Sequence, residues 1–204
     1  MQAEPIGITF QETMSGPFAL GESDPVAGEQ AGKAAGTSLA LHATITIADL
    51  DRFIADRSHT GEISGRIDFD PFGRKLPAPT GVFRLFSPTE EPHVRHMVYE
   101  VAFEHDGRPF YLAGHKRVRN DKHGADLWDD TTTLFTRLHE GTDATGPVVG
   151  AGVLRLGVPA LVRMTASMKA VNASRKADRL RAIATFGGFF MGGLWDAYGP
   201  QRRA

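Results

Sequence analysis

Met97-Val98-Tyr99-Glu100-Val101-Ala102-Phe103-Glu104-His105-Asp106-Gly107-Arg108 is the stretch that decides the fold. Met97, Tyr99, Val101 and Phe103 alternate with Val98, Glu100, Ala102 and Glu104, and a period of two makes one apolar face only on an extended strand. Asp106-Gly107 is hairpin-turn chemistry. Residues 110–118 then run back, and a second turn over 120–124 leads into 126–139. The chain goes up, down and up in a meander.

Working outward, the same alternation recurs. Residues 6–14 place Ile6, Ile8, Phe10 and Met14 on one face, and Leu39, Leu41, Ala43, Ile45 and Ile47 give the cleanest strand. Residues 60–69, 81–86 and 148–156 are further strands, with Asp70-Pro71-Phe72-Gly73 and Gly146-Pro147 as turns. Between the first two strands, residues 15–37 hold seven Gly and Pro residues and are expected to form a long loop that could act as a lid. Residues 48–56 read as a short helix with Asp49 near its start.

After Gly157 the period changes to that of a helix. From Ser174, a good N-cap, Ala177, Leu180, Ile183, Gly187, Phe190, Leu194 and Tyr198 form one apolar stripe. About eight strands in a meander with C-terminal helices predict a mainly β, single-domain chain over 1–204. The expected form is an antiparallel meander closing into a lipocalin-like barrel, with a two-sheet sandwich as the rival. Repeated βα units are absent, which argues against a doubly wound sheet.

Composition sets the outer limits. The chain has 204 residues, 41% hydrophobic and 23% charged, which suits one β-rich domain with its own core. It has no cysteine, which removes disulfides, thiolate catalysis and Cys-ligated zinc. Its start shows no basic, apolar leader, and its longest apolar run, 186–195, is half of the roughly 20 residues that a membrane span needs. A soluble, cytoplasmic protein without a membrane span is the expectation.

Charge is unevenly spread around a net −1. Residues 1–30 carry five acids and no Lys or Arg, whereas 155–181 carry seven bases against Asp178 alone. Such a segment either pairs with acidic surface elsewhere in the fold or docks an acidic partner or anionic surface. No aromatics interleave with the bases, so no nucleic-acid partner is expected.

The sequence lacks GxGxxG, Walker A, GxSxG, HExxH and EF-hand patterns, so no cofactor is expected. His93 and His96 are three apart and point to opposite faces of a strand, and no metal site is expected. Asp121, Asp126, Asp129 and Asp130 crowd one segment, where turn hydrogen bonding is favoured over calcium. On 110–118, Tyr111, Ala113, His115 and Arg117 share one face, and Leu112, Gly114, Lys116 and Val118 the other. Polar groups occur on both faces here and on the next strand, so some of them must point inward if the sheet closes. The residues expected to meet a ligand are Tyr99, Val101, Phe103, Tyr111, His115, Trp128, Thr131, Thr133 and Phe135. His115 or Lys116 with Asp129 or Asp130 is the candidate acid–base pair. A hydrogen-bond ladder at a sheet rim is the bland alternative for the same residues.

Several strings also carry a family resemblance: Phe10-x-Glu12-x-Met14 followed by 16–21, Gly114-His115-Lys116, and Asp126-x-Trp128-x-Asp130-Thr131-Thr132-Thr133-Leu134-Phe135. The last is Phe186-x-x-Phe189-Phe190-x-Gly192-x-Leu194-Trp195-x-x-Tyr198-Gly199. Together they resemble a β-rich accessory region associated with cholesterol-oxidase-like glucose–methanol–choline oxidoreductases, over about residues 6–199. The chain has no dinucleotide fingerprint and no flavin domain, so flavin-dependent oxidation does not carry over. What the resemblance implies is association with sterol or lipid-like alcohol metabolism, and it transfers no catalytic residue.

Three functional expectations follow. The first is a binding or accessory module for a hydrophobic, lipid- or sterol-like small molecule, serving an oxidoreductase. The second is a small barrel enzyme, an isomerase, cyclase or hydratase. The third is a protein-interaction domain that uses the basic segment on an acidic partner.

Overall fold

The computed structural model describes residues 4–91, 94–119 and 131–198. Its centre is a closed antiparallel barrel of eight strands, as the meander predicts. These are β1 (Gly7–Leu20), β2 (Ser38–Ile47), β3 (Thr60–Phe69), β5 (Thr80–Pro88), β6 (Val94–His105), β7 (Arg108–Arg119), β8 (Thr133–Glu140) and β9 (Val148–Arg155). Each pairs with its sequence neighbour, and β9 returns to pair with β1, which abolishes the free edges. Strand β4 (Gly73–Ala78) continues β5 along the far half of β3, with Pro79, which lacks a backbone N–H, standing between them. A short β10 (Lys169–Val171) adds to the start of β1.

The deciding hairpin forms as read. Asp106 and Gly107 both take positive φ (49° and 73°), and His105 pairs with Arg108. That two-residue turn fixes the register of the whole β6–β7 ladder, setting Tyr99 opposite Gly114 and Met97 opposite Lys116. Alternation sends one set of side chains inward, where Ile8, Phe10, Met14, Phe18, Ile45, Ile67, Phe83 and Leu138 form a continuous apolar core.

Residues 15–37 differ from the expected loop. Strand β1 runs on to Leu20, and Pro25–Ala35 is a helix, α1, lying over β1 and β9. Asp24 caps it by accepting from the Val26 and Ala27 amides, Pro25 occupies its first turn, and Gly36 ends it at φ 68°. The glycines that suggested a loop serve close approach instead. A Cβ on Gly28 would strike the Ala151 carbonyl, and one on Gly32 would strike the Phe18 backbone. Arg155 binds Glu29 at 2.7 Å, ties the helix to β9 and holds the Glu29 carboxyl below its usual range.

Helix α2 (Leu50–Ala55) starts at Asp49 as expected, α3 (Val158–Ser167) packs on β1, and α4 (Lys176–Tyr198) closes one barrel end. The face that α4 buries is rotated from the expected stripe. Ala182 and Phe186 are buried, whereas Leu180 is 60% exposed. Residues 186–195 are apolar on every side, so period alone leaves the phase open, and the bulkiest rings choose it. Phe186 meets Phe10 at 5.5 Å and Phe53 at 6.5 Å, Phe189 meets Phe53 at 5.9 Å, and Phe190 meets Phe86 at 5.8 Å. None of the described helices is long and apolar enough to cross a membrane.

Candidate functional site

The barrel interior is apolar except at one level. There Glu12 of β1, Tyr99 of β6 and Lys116 of β7 meet, each almost wholly buried. Counting either way round the barrel, β6 lies four strands from β1, so Glu12 and Tyr99 reach from opposite walls. Tyr99 donates its hydroxyl proton to Glu12 Oε2 at 3.0 Å, and Lys116 Nζ donates to Glu12 Oε1 at 3.0 Å. Lys116 also donates to the Tyr99 hydroxyl oxygen at 3.2 Å and lies 4.6 Å from the ring centroid. The three groups therefore form a closed network across the barrel interior.

Neighbouring residues explain how long polar side chains fit there. Glu12 stands in register with Ala43, Ala43 with Gly65 and Gly65 with Ala78, a band of small residues along one wall. Gly114 faces Tyr99, and a Cβ there would lie 2.8 Å from Leu134 Cδ2. Aromatic layers lie on both sides. Towards α4, Phe83 meets Tyr99 at 5.2 Å and Phe10 at 6.2 Å. Towards the other end, Phe18 and Phe69 lie 5.3 Å apart, Phe72 meets Phe110 at 4.9 Å, and Phe103 meets Phe110 at 5.7 Å.

Burial first, then the charge of Glu12 and the hydrogen bond to it, push the Tyr99 hydroxyl well above its usual pKa. Tyr99 therefore stays protonated, as donor to the carboxylate and acceptor from the ammonium. An ammonium, a phenol and a carboxylate in one dry layer can orient a ligand hydroxyl or carbonyl, or relay a proton.

The residues expected from sequence divide between the two faces. Tyr99, Val101, Phe103 and Lys116 point into the barrel. Tyr111, His115, Thr133 and Phe135 lie on the outer face, which corrects the expectation that His115 lines the interior. The cause is register, since Tyr99 pairs with Gly114 and residues directly opposite share a face. Thr131 falls two residues before β8, outside the strand, and is half-buried. Trp128, Asp129 and Asp130, and with them the carboxylates of the expected His/Lys–Asp pair, lie outside the described residues.

On the outer wall His115 meets His96 at 5.2 Å and Phe135 at 6.1 Å. Burial, helped by His96, Arg137 and Arg117, pushes His115 down to about 4. Tyr111 donates to Glu100 at 3.0 Å, and burial together with that carboxylate pushes it up to about 12. Among the described residues no group of three or more His, Asp or Glu is placed to hold a metal. Thr13, His42 and Asp68 form a line of hydrogen bonds at 3.2 and 3.1 Å on the outside of β1–β3. The strand amides around them are consumed by the ladder and supply no oxyanion hole.

Sequence reasoning missed Glu12. The signal was present, because even parity on β1 groups Glu12 with Ile8, Phe10 and Met14, a carboxylate on an otherwise apolar face. Comparison with protein families, with characterised proteins and with solved structures finds no match to this chain.

Proposed function

We propose that the barrel binds a hydrophobic small molecule of lipid or sterol type, with its polar group held by Lys116, Tyr99 and Glu12. One observation carries this reading: a fully buried ion pair with a bridging tyrosine crosses a barrel interior that is otherwise mainly apolar and aromatic, with Thr136 the other buried polar residue at that level. As a stabiliser such a network is poor, since apolar residues of the same volume generally do as well or better. As a recognition element it is apt, since a few fixed polar groups among apolar ones set the orientation of a ligand. Service to an oxidoreductase rests on the sequence resemblance alone.

The test is solvent extraction of the purified protein with mass spectrometry, beside displacement of fluorescent fatty-acid and sterol probes. The expected result is a co-purifying apolar molecule, and displacement weakened about tenfold or more in Lys116→Met, in line with the loss of one charged hydrogen bond. No extractable molecule and no probe binding would overturn the reading.

A second reading, a small isomerase, cyclase or hydratase, draws on the same three residues. The observation favouring it is the hydroxyl of Tyr99, kept protonated between an acid and a base. It requires Tyr99→Phe to abolish turnover of an identified ligand while leaving its binding intact.

A further inference from the structure

Among the described residues the basic segment makes little use of acidic surface elsewhere in the fold. Of its seven bases only Arg155 has a carboxylate partner among the described residues, Glu29. Arg163, Lys169, Arg175, Lys176, Arg179 and Arg181 form no ion pair among the described residues, and all are exposed. They are carried by α3, β10, the link to α4 (Arg175) and the first turns of α4, which adjoin one another. Helix α3 and β10 both lie on β1, and α4 packs against β10.

The same strip exposes large apolar side chains. Val158 and Val162, one helical turn apart on α3, are 61% and 64% exposed, and Leu180 on α4 stands between Arg179 and Arg181. No residue of α3 is buried, although it holds Val158, Leu161, Val162 and Met164. Between β10 and α4 lies an open cleft of about 610 Å³. Lys169 and Arg179 stand beside it, with Met168, Ala170 and Ile183 supplying apolar wall. Arg179 spends its Nε–H on the Ala173 carbonyl at 2.9 Å, which fixes the guanidinium beside the cleft.

Bases with no carboxylate partner among the described residues, interleaved with exposed aliphatic side chains on adjoining short elements, are what an interfacial lipid surface requires. The charges meet anionic headgroups while the aliphatic groups enter the acyl boundary. A solvated acidic protein surface would satisfy the charges and leave Val158, Val162 and Leu180 in water. We propose that the α3–β10–α4 strip docks on an anionic lipid surface, with headgroups against Lys169, Arg179 and their neighbours. This stands apart from the barrel-ligand reading. If both hold, α4 is at once the element that closes the barrel and the element that faces the lipid.

The test is co-sedimentation of the full chain with vesicles of phosphatidylcholine, with and without phosphatidylserine, over a range of salt. Binding is expected only to the anionic vesicles and should weaken as salt rises. Lys169→Gln/Lys176→Gln/Arg181→Gln is expected to lower partitioning on the order of 100-fold. Val162→Asp/Leu180→Asp, at exposed positions where far-UV circular dichroism is expected to stay unchanged, should lower it as well. Equal binding to neutral vesicles, or none to either, overturns the proposal. So does full binding by Val162→Asp/Leu180→Asp, or stronger, salt-sensitive binding to polyglutamate than to vesicles, which would point to an acidic protein instead.

Discussion

Bringing an ammonium and a carboxylate into a barrel interior costs several kcal/mol per ion before they meet, and the pairing must offset that. Here Glu12 spends one oxygen on Lys116 and the other on Tyr99, so neither oxygen is left bare. Removing one partner strands the other. Lys116→Ala is expected to lose about 3–5 kcal/mol in urea unfolding, whereas Glu12→Leu/Tyr99→Phe/Lys116→Met should match the native chain or exceed it. A triple variant as stable as the native chain but unable to bind apolar probes would separate recognition from folding. His115 predicts a pH effect. Its pKa is near 4 in the fold against 6.5 free, so as pH falls through that window the unfolded chain takes the proton first and stability falls. The loss is on the order of 1 kcal/mol after allowing for partial exposure, and His115→Phe should remove it from a thermal-unfolding series. Lys116 was legible as an interior residue from the turn, because Asp106-Gly107 dictates its pairing with Met97. Glu12 was legible only from its parity on β1. That the two converge with Tyr99 was not legible, because 87 and 104 residues separate the partners and only barrel closure joins them.

At the scale of elements, α1 and α4 show two ways in which composition misleads. Gly28 and Gly32 suggested a loop, yet their spacing of four is that of one helix face pressed on backbone. Asp24-Pro25 and Gly36 had already marked both ends of that helix. Gly28→Ala is therefore expected to cost more than 2 kcal/mol, because the new methyl strikes a carbonyl rather than a movable side chain. A thermal melt no lower than that of the native chain would refute it. For α4 the ambiguity was real, since an all-apolar segment offers every phase, and the choice fell to the cluster Phe10, Phe53 and Phe86 waiting at the barrel end. Phe186→Ala removes the ring nearest that cluster and is expected to cost about 3–5 kcal/mol in chemical denaturation.

For the molecule as a whole, nearest-neighbour pairing makes most of the sheet local in sequence, while the β1–β9 seam alone joins the two ends of the barrel. Barrel and flank should thus differ in how they open. Amides of β2 and β3, paired on both sides, are expected to exchange with deuterium only through global unfolding. Those of α3, which buries no residue, should exchange orders of magnitude faster. Uniform protection of the two regions would contradict this. Lys116 adds a consequence of its own, since an amine this deeply enclosed is out of reach of acylating reagents while the barrel stays shut. Its rate of labelling, set against that of exposed lysines such as Lys33, is a built-in clock for the opening of the barrel.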